Sequence, residues 1–295
     1  MSLKVLGKSA CIVCIGVILD VVVHQIAPQI TASAQSGTSG AIVLSPSLIV
    51  RLGLFVPVFL IFALVTFGLF AAVFIYLQVN LPQSHWMKGV WYGLAFGGLW
   101  YIGMLEASLV LGTPIKQELF MGVADALPIL VMGVLLGGFV GTTQNSHPRS
   151  RNSGAKTIAV PCIALCYMVG RYFAYGLLHI DSAYVTNPLG TFLWTLGMGV
   201  WVGIVYYLLE SGLRSTTPLY RAIIFSCVIY GIDWFMFTFT MPLLFEMNLL
   251  DLLLRLIVDV LSVMIGVFFS EKLIGRHLVM STSSGTKVHD NYKAG

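Results

Sequence analysis

Residues 52–77 read LGLFVPVFLIFALVTFGLFAAVFIYL, a run without one Asp, Glu, Lys, Arg or His. About 20 apolar residues suffice to cross roughly 30 Å of hydrocarbon as a helix. Strands of a membrane barrel would alternate apolar and polar residues, and this run does not alternate. A helix satisfies every backbone polar group internally, so the stretch reads as a membrane-spanning helix.

Working outward, the same signature recurs. Windows of sufficient length lie at approximately 9 to 29, 50 to 79, 89 to 111, 119 to 141, 157 to 179, 188 to 210, 219 to 242 and 250 to 270. The second, which holds the opening stretch, is overlong and contains Pro57, so it is expected to tilt or kink. The whole chain agrees: 58% of its residues are hydrophobic and 9% charged, and its mean hydropathy is +0.91. Soluble domains carry about a quarter charged residues, so a soluble fold is excluded. The fold class is an all-α integral membrane protein of eight spans, a single polytopic domain over 1–278 followed by a tail, 279–295, expected to be disordered in the cytoplasm.

Basic residues are retained on the cytoplasmic side of a membrane. Lys4, Lys8, Lys88, Arg149, Arg151, Lys156, Arg214, Arg221, Lys272, Arg276, Lys287 and Lys293 fall at one end of the alternating spans, and only Arg51 and Lys116 at the other. That asymmetry sets both termini inside and predicts a multi-pass protein of the cytoplasmic membrane. Lys4 and Lys8, an apolar stretch and Ala32-Ser33-Ala34 imitate a secretory signal, but Asp20 and the long gap before Ala34 argue against cleavage. Shifting the chain by 133 residues lays Lys88 on Arg221, Glu118 on Asp251 and Gly133-Val134 on Gly266-Val267. This suggests a parallel 4+4 repeat with halves 9–141 and 157–270.

Ionisable groups at membrane depth are costly and point to function. Those well inside spans are Asp20, Glu106, Asp125, Arg171, Asp233, Arg255 and Asp259. Five acids against two arginines leave three carboxylates to hold a proton, face water or bind a cation. Glu118, Glu246 and Asp251 are expected nearer the interfaces. Asp251, Arg255 and Asp259 follow at four-residue steps on one face, so the arginine has an acid on its own helix and Asp259 is spared for another. Glu118, Gly122 and Asp125 share a face of the fourth span, which a true repeat would set opposite that triplet. Matching Cys11 to Cys162 puts Asp20 at the depth of Arg171 and predicts their pairing.

His24 and His179, each near carboxylates at the outer ends of their spans, are weak candidates for metal or haem ligation. Cys11, Cys14, Cys162 and Cys166 have helical spacings and a common depth that could form a thiolate site; otherwise these thiols, with Cys227, behave as small hydrophobes. Lys116-Gln117-Glu118-Leu119-Phe120-Met121-Gly122 and Tyr175-Gly176-Leu177-Leu178-His179 are superficially similar to motifs of the intramembrane CaaX-protease-like family. Gln117 replaces a glutamate, Met121 an arginine, and no later histidine stands near Ser226, so the chain is not assigned to that family. Glycines at four-residue spacing (Gly89, Gly93, Gly97; Gly133, Gly137, Gly141; Gly199, Gly203) predict close helix packing of spans three, four and six.

These features rank a small-solute or ion transporter using buried carboxylates first. The alternatives are an intramembrane enzyme with a histidine and carboxylate site, and a non-catalytic assembly, immunity or partner protein. The expected partners are the lipid bilayer and a proton, cation or small solute. No cofactor is predicted, no nucleotide-binding loop is present, and no basic stripe interleaved with aromatics suggests nucleic acid.

Overall fold

A computed structural model of the chain describes residues 3–31, 44–143, 157–214 and 217–290. Among them are eight helices long and apolar enough to cross a membrane: α1 Leu3–Ile26, α2 Phe55–Leu77, α3 His85–Val110, α4 Ile115–Val140, α5 Ala159–Leu178, α6 Pro188–Gly212, α7 Pro218–Leu244 and α8 Leu249–Gly275. The protein is an all-α multi-pass membrane protein. Arg51 and Lys116 lie at one end of the bundle, the basic-poor end. Many apolar side chains face outward, among them Ile61, Leu165, Val169 and Phe269. Hydrocarbon, not water, is the solvent for such a surface.

The overlong second window resolves into two elements rather than one kinked span. Ser47 caps a four-residue helix, Leu48–Arg51, by accepting from the Val50 N–H. Gly53 then turns the chain at φ 70°, a conformation glycine adopts without a Cβ penalty. Pro57 falls in the first turn of α2, where its missing N–H has no intrahelical partner to lose. At the other end of the chain, helical structure runs on from α8 to Asp290. No proline interrupts it after Glu271.

The helices pack in matched relations. α1 lies on α2 and α4 as α5 lies on α6 and α8; α3 lies on α4 and α6 as α7 lies on α8 and α2. The most intimate pair is α3 with α4. A Cβ placed on Gly133 would come 2.7 Å from the Gly89 oxygen and the Gly93 Cα, so only glycine permits that approach. Without a hydrophobic effect between helices in lipid, close backbone contact of this kind supplies much of the attraction. Gly266 does the same service between α8 and α5, where a Cβ would meet the Ile163 Cα at 2.8 Å.

Two spans contain π turns. α5 ends in a π turn, Ala174–Leu178, and α7 contains another, Ile224–Tyr230. Such widened turns are rare and concentrate at functional sites. Here one follows Arg171 and the other precedes Asp233 and Trp234.

Candidate functional site

Arg171 is fully buried on α5. Its Nε and Nη2 donate to the two carboxylate oxygens of Asp259 on α8, each at 2.7 Å. This bidentate fork is the strongest geometry a guanidinium and carboxylate adopt. Its Nη1 donates to Glu106 Oε1 on α3 at 2.8 Å, and the Tyr167 hydroxyl accepts from Nε at 3.2 Å. The Trp194 ring lies 4.9 Å from the guanidinium carbon, within cation–π range. Asp259 is held from behind by the Trp234 indole, whose Nε1 donates to Oδ2 at 2.7 Å.

Glu106 joins this pair to a second one. The same Oε1 accepts from Arg255 Nη1 at 2.5 Å. Arg255 also reaches Asp251 Oδ2 at 3.4 Å and the Asp181 carbonyl at 2.5 Å. Asp251 in turn accepts from the Asp181 N–H at 2.7 Å. The i,i+4 steps of α8 therefore act as their spacing implies: Arg255 keeps Asp251 on its own helix, and Asp259 is given to another. Two guanidiniums and three carboxylates form one connected network. An arginine does not shed its charge by deprotonation, so these acids stand in for the water it has lost.

The network does not end in solid protein. A cavity of about 410 Å³ has Glu106, Asp251 and Arg255 in its wall, together with Gly103, Met104 and Phe237. It lies toward the basic-poor end, where Asp181, Glu246 and Asn248 border it. The segment before α2 is clamped there. Ser47 donates through its backbone N–H to the Leu244 carbonyl and through Oγ to the Leu243 carbonyl. The Glu246 N–H donates to the Ser45 carbonyl, and Arg51 pairs with Glu246.

Asp20 and Asp125 belong elsewhere. Asp20 does not pair with Arg171; it sits one turn before His24 on α1, and His24 bridges to α4. His24 Nδ1 lies 2.9 Å from the Asp20 carbonyl oxygen and 3.3 Å from its Oδ1, while Nε2 lies 3.0 Å from Asp125 Oδ1. Depth matching from the cysteines misled here, because α1 packs on α4 and α2 while α5 packs on α8 and α6. The same separation leaves Cys11 and Cys14 exposed on α1, away from Cys162 and Cys166. Nor do the acidic faces of α4 and α8 pair with each other: Asp125 is taken by α1 and Asp259 by α5. His179 ends α5 in a left-handed conformation at φ 52° and is no part of the His24 trio.

Asp233 is fully buried on α7, with the Trp100 indole beside its carboxylate. Glu118, expected to be solvated at an interface, is instead 4% exposed, with the Thr113 hydroxyl beside its carboxylate. A further cluster lies at the basic end. Arg221 on α7 pairs with Glu210 and Glu271, and Tyr206 donates to Glu271. Lys88 is fully buried and donates to the Thr142 carbonyl at 3.0 Å. Both basic residues read as loop charges in the sequence because they fall in the first turn after a polar connection. The aromatic groups around Arg171 gave no signal beyond that of ordinary apolar residues.

No family model matches this chain, and neither the curated proteins nor the solved structures contain a match to it.

Proposed function

We propose that the protein is a transporter of a small anionic solute, and that the network of Glu106, Arg171, Arg255 and Asp259 is its binding and coupling centre. The observation that carries this is the cavity: it brings a charged wall, Glu106 with Arg255, within reach of a solute arriving from the basic-poor end. A carboxylate or phosphate there would compete with Glu106 for Arg255. Glu106, displaced, would turn to Arg171 alone or accept a proton, which couples occupancy to charge. The Arg171 and Asp259 fork stays in place as the fixed part.

The matched helix relations support the same reading. A duplication of two four-helix halves, 9–141 and 157–270, would leave such relations, and repeat-built transporters hold their solute between halves. Asp20, Asp125 and Asp233 lie outside this centre.

The test is flux into proteoliposomes carrying a pH-sensitive dye, with a panel of monocarboxylates, dicarboxylates and inorganic phosphate. Uptake of at least one anion that disappears in Glu106→Gln and in Arg255→Gln, with both variants inserted and monodisperse, is the expected result. Flux unchanged in both variants, or no flux of any anion in the native protein, overturns the reading.

A further inference from the structure

We propose that Asp20, His24 and Asp125 form a binding site for a divalent first-row transition-metal ion, separate from the arginine network. One ligand atom from each of the three lies within 4.8 Å of the others. They come from two helices, with Asp20 and His24 one turn apart on α1 and Asp125 facing them from α4.

The histidine is prepared for the role. A backbone carbonyl can only accept, so the 2.9 Å contact of Nδ1 with the Asp20 oxygen assigns the proton to Nδ1. Nε2 faces the Asp125 carboxylate, which also only accepts, so without a metal it donates there from an imidazolium, and a metal ion would displace that proton and take its place on Nε2. Anchoring the distal N–H on a carbonyl is the arrangement that orients most metal-binding imidazoles. The 3.0 Å separation of Nε2 and Asp125 Oδ1 is also the edge of a coordination polyhedron whose bonds are about 2.0–2.1 Å long.

Charge points the same way. Two carboxylates and a neutral imidazole carry two negative charges, which one divalent ion cancels, whereas a protonated His24 would leave one uncancelled. Charge left unbalanced at membrane depth is costly. The donor set, one nitrogen and two carboxylate oxygens without a thiolate, suits Zn²⁺, Mn²⁺, Fe²⁺ or Co²⁺ rather than a soft monovalent ion.

Access and an open position are present too. All three residues line a second cavity, of about 420 Å³, whose remaining wall is mostly apolar and includes Phe59, Phe67 and Met121. Two turns before Asp125, on the same face of α4, stands the buried Glu118, with the Thr113 hydroxyl beside its carboxylate.

The experiment uses the full chain, purified in detergent and stripped with a chelator. It is titrated with Zn²⁺, Mn²⁺ and Co²⁺ by calorimetry, and Co²⁺ is followed also by its visible absorption. One ion per chain is expected, with affinity falling at least about tenfold in His24→Gln and in Asp125→Asn and unchanged in Glu106→Gln. The Co²⁺ absorption should change on His24→Gln, because the nitrogen donor is lost. Each variant's thermal midpoint without metal shows whether it is folded. Should either variant fail to fold, the Co²⁺ spectrum of the native protein decides by showing or lacking a nitrogen donor. No binding up to about 1 mM, or binding undiminished in both folded variants, overturns the proposal. The outcome is independent of the flux measurement, whose variants lie in the other cluster.

Discussion

The helix pairs α1–α4 and α5–α8 occupy corresponding places in the packing, and each is tied by a basic side chain on its first helix to an aspartate on its second. Asp125 and Asp259 even hold the same ordinal place in α4 and α8, ten residues after Ile115 and Leu249 respectively. Their surroundings differ. The Arg171–Asp259 tie is closed: fully buried, forked, backed by Trp234 and bounded by the Trp194 ring. The His24–Asp125 tie is open, with 24% of the His24 side chain and 11% of the Asp125 side chain exposed along a cavity wall. The Arg171–Asp259 fork, saturated with its own hydrogen bonds, has little left to offer a ligand directly and serves as the fixed part of its network. A site whose donors converge without saturating one another can bind one directly.

Five variants can break or sharpen that contrast by thermal unfolding in detergent. Arg171→Ala should have the largest effect, about 3–5 kcal/mol, because it strands Asp259 as a buried charge without a cation, while Glu106 keeps Arg255. Removing both partners, in Arg171→Met with Asp259→Leu, should restore at least half of that loss; a double variant no better than the single one would deny that stranded charge is the cause. Trp234→Phe keeps an aromatic ring, smaller than the indole, and deletes one hydrogen bond to a carboxylate, which should cost about 1.5–3 kcal/mol. His24→Gln, on the open side and without added metal, should cost about 1 kcal/mol. A loss as large as that of Arg171→Ala would erase the distinction between the two pairs. Arg51→Ala comes last, at no more than about 1 kcal/mol, since its pair with Glu246 is more than half exposed on both sides.

The spans were legible because continuous apolar length is a one-dimensional property: hydrocarbon thickness can be read against a window of sequence. The Asp251, Arg255 and Asp259 triplet was legible too, because four-residue spacing fixes a helix face locally. Which helix that face meets is not local. Arg171 takes its partner from 88 residues further on, and its pairing with Asp20 failed because depth alone does not say which spans are neighbours. Trp234, Trp194 and Tyr167 were hidden for another reason. In an apolar run an aromatic residue looks the same whether it packs against lipid or against a guanidinium. Glu118 and Lys88 lie near span ends, where the sequence allows solvation, and only the fold shows that neighbouring helices have enclosed them.

The Arg171 fork also bears on how the protein is made. An arginine near the middle of a span raises the free energy of inserting it by about 2.5–3.5 kcal/mol. The helix that carries it has among the lowest mean hydropathies of the eight, 1.3. Its compensating aspartate is not yet synthesised when α5 leaves the ribosome. At about 5–20 residues per second, the 88 residues separating Arg171 from Asp259 represent several seconds of translation. During that interval α5 must shelter in the insertion machinery or against α3, where Glu106 is already available. Maturation therefore depends on the order of synthesis, and a chain truncated before α8 should leave α5 incompletely inserted and subject to quality-control proteolysis.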